Sequence, residues 1–262
     1  MRESDPAKKG ALVQQLYTDL RQNTLTFDHD APILLPKEPS YAPLVTIVRP
    51  RNVPKRKHFD NPEGQRVLLH AVAHIEYSAI DLALDSAYRF RHMPVEYYLD
   101  WVEVAHDEVR HFTMLEKLMK QVGAEYADFP VHTALFDAGK KTAADILERM
   151  AVVPRYLEAG GLDANPRIIA KLERYRTTPM LEAIIEALRT ILEEEVSHVA
   201  KGDRWFKHVC KMRGLSPEIY FDIIERHYPG LETKRLQLNV DARRAAGFAC
   251  SELKRMGAQK CE

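Results

Sequence analysis

The chain has no net charge: 38 lysines and arginines balance 38 aspartates and glutamates over 262 residues. No global field therefore draws it to nucleic acid or to a membrane. Cysteine is scarce, and Cys210, Cys250 and Cys261 show no paired spacing. That predicts free thiols in a reducing compartment. The opening MRESDPAKKG lacks the apolar run of a secretory signal. No stretch reads as the roughly 20 apolar residues that a bilayer span needs. Neither G-x-S-x-G nor G-x-x-x-x-G-K-S/T occurs, so serine-hydrolase and P-loop chemistry have no foothold. Alternating strand patterns and repeats of conventional period are missing too. These absences point to a cytoplasmic, all-α protein with no membrane partner, long enough to bury a substantial core.

What is there is helix. Residues 11–22 form one short helix. Pro32, Pro36, Pro39, Pro43, Pro50 and Pro54 crowd residues 30–57. Proline withholds a donor and blocks helix, so an extended arm is expected, with LVTIV at 44–48 its only strand-like piece. Asn61 caps a long helix from Pro62 to about Arg91. A second follows Pro94 and stops near Gly123. A third spans about 141–160, ending at Gly160-Gly161, with a shorter piece over 166–176. A fourth runs from Pro179 to about Arg213, where Gly214 ends it. Further short helices are expected over 216–228 and 231–257. The domain reading is an N-terminal helix and arm (1–57), a four-helix bundle (58–214) and a packed C-terminal extension (215–262). The basic run Arg49, Arg51, Lys55, Arg56 and Lys57 reads as a solvated linker.

Within these helices the motif Glu-x-x-His is doubled. Glu108 and His111 form one copy, Glu195 and His198 the other. Three residues are close to one turn, so each pair shares a helix face. The apolar seams say which face. In the first long helix Leu69, Ala73, Ile80 and Ala83 recur at core spacing, and Glu76 takes a core position. Glu108 falls in step between Ala105 and Phe112, and Glu195 between Leu192 and Val199. An ionised carboxylate in an apolar core is costly unless paired or bound to metal. Several together repel and raise one another's pKa values. Two divalent cations would balance four glutamates, with the histidines bound as neutral imidazoles.

Depth supports the set. Glu76 lies about 16 residues before the turn at His92-Met93 and Glu108 about 16 after it, both roughly 24 Å away. In the third helix Glu158 sits about 19 residues before a turn near Thr177, matching Glu195 about 18 beyond it. Glu148 misses that level by nearly 15 Å, at about 1.5 Å per residue. The predicted ligands are therefore Glu76, Glu108, His111, Glu158, Glu195 and His198. Other groups read differently. Glu103 and His106 make a third Glu-x-x-His, about 140° off the seam, and read as a surface pair. His70 and His74 lack a third zinc ligand and are assigned to the outer face or to supporting the site. Asp107 and Glu194 either orient metal-bound histidines or are solvated. Tyr77, Trp101, Phe112 and Tyr156 read as aromatic packing.

The order Glu76, Glu108-His111, Glu158, Glu195-His198 resembles the ligand order of ferritin-like di-iron carboxylate proteins. The DEVRH motif, RYLEAGGLDANP and LNVDARRAAGF look like those of a bacterial ferritin-like family of unknown function. The resemblance covers about 60–257. It implies an antiparallel four-helix bundle with two metal ions, iron most often, manganese or a mixed pair otherwise, and a substrate oxidised with O2. A more distant similarity to ferritin-like tRNA hydroxylases suggests a small-molecule or nucleoside substrate, while the neutral charge does not favour nucleic acid itself. The arm and the C-terminal helices are additions that would cover the site or make a homodimer contact. Iron handling by a ferroxidase, or a metal-stabilised binding module, would use the same ligands.

Overall fold

A computed structural model describes residues 2–175, 178–230 and 237–261. Among them the regular structure is helical, and LVTIV contributes only a single bridge, Ile47 with Val131. The turn expected near Thr177 and the beginning of the helix expected over 231–257 lie outside the described residues. The chain divides into two compact units: Met1–Gly139 with Tyr175–Ala187, and Lys140–Arg174 with Leu188–Glu262.

The first unit is organised by α2 (Pro62–Arg89) and α3 (Val95–Gln121). Asn61 caps α2 by accepting from the Gly64 N–H, as its sequence predicts. Three contacts fix an antiparallel register. Arg66 donates to the Val122 carbonyl (2.6 Å), His111 meets Glu76 (3.1 Å), and the Tyr97 hydroxyl donates to the Ser86 carbonyl (3.2 Å). Helix α2 is long and apolar enough to span a membrane by length and composition, contrary to the first expectation. Its apolar stretch is mostly buried, as in a core helix. Helix α1 (Pro6–Arg21) starts five residues earlier than expected, because Asp5 caps it and Pro6 takes its first position. Its buried Lys9 reaches Asp81 of α2 and Ser40 of the arm, over the Tyr77 ring. Burial pulls the Lys9 ammonium down and Asp81 pulls it up. The arm lies along α2: Tyr41 is buried, and the Tyr88 hydroxyl accepts from the Leu34 N–H (2.9 Å). Helix α4 (Ala134–Lys141) follows.

In the second unit, helix α5 (Ile146–Val152) passes through a π-helical segment, Val153–Glu158, into α6 (Ala159–Glu173). The expected stop at Gly160-Gly161 and restart at Pro166 do not occur. A proline inside a helix deprives the carbonyl four residues back of its donor. Here that carbonyl, Leu162, accepts from the Asn239 side chain (3.2 Å), so the helix continues. The helical run also begins later than expected, at Ile146, where Asp145 caps it. Helix α7 (Pro179–Met212) is the long fourth helix, and its residues from Leu188 onward belong to this unit. Its Gly202 faces the Pro154 ring so closely that a Cβ there would collide with it.

Helices α8 (Ile219–His227), α9 (Val240–Ala245) and α10 (Cys250–Arg255) complete this unit. Within the described part of the segment expected to be helical over 231–257, the helix is broken at Gly247, whose φ of 100° excludes continued helix. Arg155 is fully buried among Phe206, Tyr220 and Phe248 and pairs with Asp203 (2.9 Å) and Glu252 (2.6 Å). Arg243, also fully buried, grips both oxygens of Asp163 (3.0 and 2.7 Å). Removing one partner of such a pair strands a buried charge, at about 3–5 kcal/mol. The free-thiol expectation is corrected. Cys250 and Cys261 are joined in a disulfide, and among the described residues Cys210 is the free thiol. Spacing could not reveal the bond because the tail's fold brings the pair together.

Gly202→Ala should lower the urea midpoint, costing about 1–3 kcal/mol, since the Pro154 ring cannot rotate away. A midpoint equal to wild type would show that α7 and the π segment part freely.

Candidate metal centre

In the first unit the antiparallel register sets Glu76 level with the Glu108–His111 turn. Glu76 (4 % exposed), Glu108 (1 %) and His111 (0 %) are all buried in the α2–α3 seam. The His111 Nδ1 donates to Glu76 Oε2 (3.1 Å) and lies 3.5 Å from Glu108 Oε2. A ligand-type atom from each residue lies within 4.8 Å of the others. Ligands about 2.1 Å from one ion span roughly 4 Å, so small adjustments would close this set on a cation. The electrostatics agree. Burial alone would pull the His111 imidazole down, but hydrogen bonds to Glu108 and Glu76 and their charges raise it to about 11. That direction favours positive charge on the ring beside the two buried carboxylates. A divalent cation supplies more, and leaves the imidazole neutral to act as a ligand. Two carboxylates and one imidazole form a hard O/N donor set that fits such an ion.

In the second unit Glu195 and His198 share one face of α7, with His198 Nδ1 3.5 Å from Glu195 Oε1. His198 is buried and Glu195 partly so. Glu158 closes the π-helical segment and is also partly buried. Its depth follows from contacts on either side. Arg155 meets Asp203 (2.9 Å), and Asn165 meets the Leu188 carbonyl (3.5 Å), so Glu158 falls beside the His198 stretch of α7. Glu148 is engaged elsewhere, by Arg226 (2.9 Å) and His227 (3.1 Å) of α8. Each unit thus presents two of the predicted glutamates and one predicted histidine.

The neighbouring groups sort themselves. His106 stacks on Tyr17 (4.5 Å) and bonds Gln14 (2.8 Å), docking α1 on α3. Asp107 pairs with Arg110 on its own helix (2.9 Å). Tyr77 stacks on Tyr126 (5.4 Å), and its hydroxyl donates to the Ser4 carbonyl (2.7 Å). Tyr156 stacks on Tyr228 (4.8 Å). The outer-face assignment of His70 and His74 is corrected, because both are buried. His70 Nε2 accepts from the Ala127 N–H (3.1 Å). His74 Nε2 must donate to the His132 carbonyl (3.1 Å), so its Nδ1 accepts from the Tyr126 hydroxyl (3.0 Å). They pin the loop after α3, and burial holds both imidazoles down at about 4. Sequence reasoning missed Lys9, Arg155 and Arg243 altogether. Charged residues on an apolar stripe were their only signal.

Two comparisons bear on this arrangement. A family model described as "Protein of unknown function (DUF455)" matches residues 2–254. A Haemophilus influenzae protein described as "Uncharacterized protein" is 36 % identical over 263 residues, covering 97 % of this chain and 89 % of that relative. No solved structure matches the chain. The expected likeness to a family of unknown function is thereby met.

His70 and His74 fold as neutral rings at about 4 but would titrate at their ordinary 6.5 when unfolded. The unfolded chain then binds more protons below 6.5. Stability should be complete above that pH and fall as pH drops toward 4, by at most about 1.4 kcal/mol per pH unit for each histidine. Urea midpoints of wild type and His70→Gln/His74→Gln across pH 7.5–4.5 test this. Equal pH slopes in the two proteins would refute it.

Proposed function

The chain belongs to the family described as proteins of unknown function (DUF455), and on that premise we propose that it is a dinuclear-metal oxidoreductase using O2 to oxidise or hydroxylate a small-molecule or nucleoside substrate. The observation that carries this reading is the duplicated half-set. Glu76, Glu108 and His111 stand together in one unit. Glu195 and His198 share one turn of α7 in the other, and the run carrying Glu158 packs along that helix. On this reading Glu195 would serve as a shared carboxylate, and α2, α3, the 146–173 run and α7 would be the four helices of a ferritin-like bundle.

The residues divide the work by chemistry. Glu76 and Glu108, sunk in an apolar seam beside His111, favour a positive charge among them, and a divalent cation would supply more of it than an imidazolium. His111 and His198 are fixed by their helices one turn from a glutamate, so each histidine is presented with its carboxylate already beside it. One or two glutamates would bridge, because four carboxylates and two imidazoles leave open positions around two ions. Bound there, a pair of iron ions, or manganese in one or both positions, would supply the electrons that O2 reduction needs. The apolar lining of α2 and α3 keeps bulk water from the glutamates.

Metal content per chain on anaerobically purified protein, followed by the absorption spectrum on admitting air, tests the proposal. About two iron or manganese ions with a new visible band supports it. No metal, or a single zinc inert to O2, removes the oxygenase reading. Glu108→Ala and Glu195→Ala should each lose at least one ion, and full metal content in both would sink the site assignment.

A further inference from the structure

A π-helical turn is a rare conformation that persists only where its surroundings impose it. Val153–Glu158 is such a turn, and its last residue is the proposed ligand Glu158. What imposes it comes largely from the C-terminal segment. The Tyr220 hydroxyl of α8 donates to the Arg155 carbonyl inside the turn (3.2 Å). Arg243 of α9 donates to the Ala159 carbonyl, one residue beyond Glu158 (2.9 Å). Asn239 donates to the Leu162 carbonyl (3.2 Å), and its own N–H is held by Asp163 (2.9 Å). Glu252 of α10 pairs with the Arg155 guanidinium (2.6 Å). Three carbonyls of one helical run are thus answered by side chains from 220–243, on both sides of Glu158.

We infer that the C-terminal segment is a clamp that sets the helical register of Glu158, with Arg243 and Tyr220 as positioning residues for the metal centre. The inference rests on the dinuclear reading above. Its physical content is rotational. One residue more or less per turn swings a helical side chain by about 100°, enough to take Glu158 off the face on which the dinuclear reading needs it. Neither Arg243 nor Tyr220 needs to touch a ligand to control this. They hold the peptide groups that flank it.

Anaerobic Co(II) titration, read by the ligand-field spectrum, tests the clamp without relying on turnover. Glu158→Gln serves as the comparator for loss of the ligand, and Val13→Ala, at a buried position of α1, controls for lost stability alone. Tyr220→Phe and Arg243→Gln should both keep their helical circular dichroism. Each should weaken one Co(II) equivalent by about 10–100-fold with an altered ligand-field band, in the manner of Glu158→Gln. Arg243→Lys should recover part of the loss. If Arg243→Gln does not fold, Tyr220→Phe decides, because it removes one oxygen and no volume. Wild-type Co(II) binding in Tyr220→Phe, while Glu158→Gln loses an equivalent, overturns the clamp and leaves the site intact. Wild-type binding in Glu158→Gln overturns Glu158 as a ligand, and the clamp with it. An equal loss in Val13→Ala reduces the effect to general destabilisation and also overturns the clamp.

Discussion

The constraint behind this structure is the cost of keeping carboxylates out of water. Glu76 and Glu108 stand where the α2–α3 seam would otherwise hold leucine. Each burial costs several kcal/mol unless a positive charge compensates. The protein answers within the seam by placing His111 between the two and raising its proton affinity. The same three groups could also hold a metal ion. Much of the local architecture follows from this constraint. The register of the hairpin must bring position 76 to position 111, and the turn at 90–94 must be short enough to keep that register.

The second unit solves a related problem with arginine. Arg155 and Arg243 are wholly buried, and each carries its counter-charges with it: Asp203 and Glu252 for one, Asp163 for the other. Burial pushes the Asp203 carboxyl up while Arg155 and Lys207 pull it back. Such pairs add little stability over apolar packing, but they are demanding about geometry. Here they tie short C-terminal helices, too small to be stable alone, to one irregular helical run.

How much of this was legible beforehand depends on range. The ends of α2 and α3, the cap at Asn61 and the stop at Gly123 are local chemistry and read directly. The level meeting of Glu76 with the Glu108–His111 turn needed only rise per residue and the position of one turn. Glu158 was chosen by the same counting; the contacts at Arg155 and Asn165 show that its run packs along α7 near His198. Where the reading failed, distant partners decide. Gly160-Gly161 and Pro166 look like stops until Asn239 supplies the missing donor. His70 and His74 look like an outer face until the loop carrying Tyr126, Ala127 and His132 folds over them. Cys250 and Cys261 are brought together where the chain leaves α10, at Gly257 with its φ of 102°.

Pro166 also bears on how the chain is made. The carbonyl it leaves open is answered by Asn239, 77 residues later in the sequence. A ribosome adding about 5–20 residues per second reaches that partner only some 4–15 s after the proline has been joined. Until then the run bearing Glu158 lacks the donors that complete it. Synthesis therefore orders assembly: the α2–α3 hairpin can form while the chain is growing, and the run bearing Glu158 is completed only once Asn239 has been added.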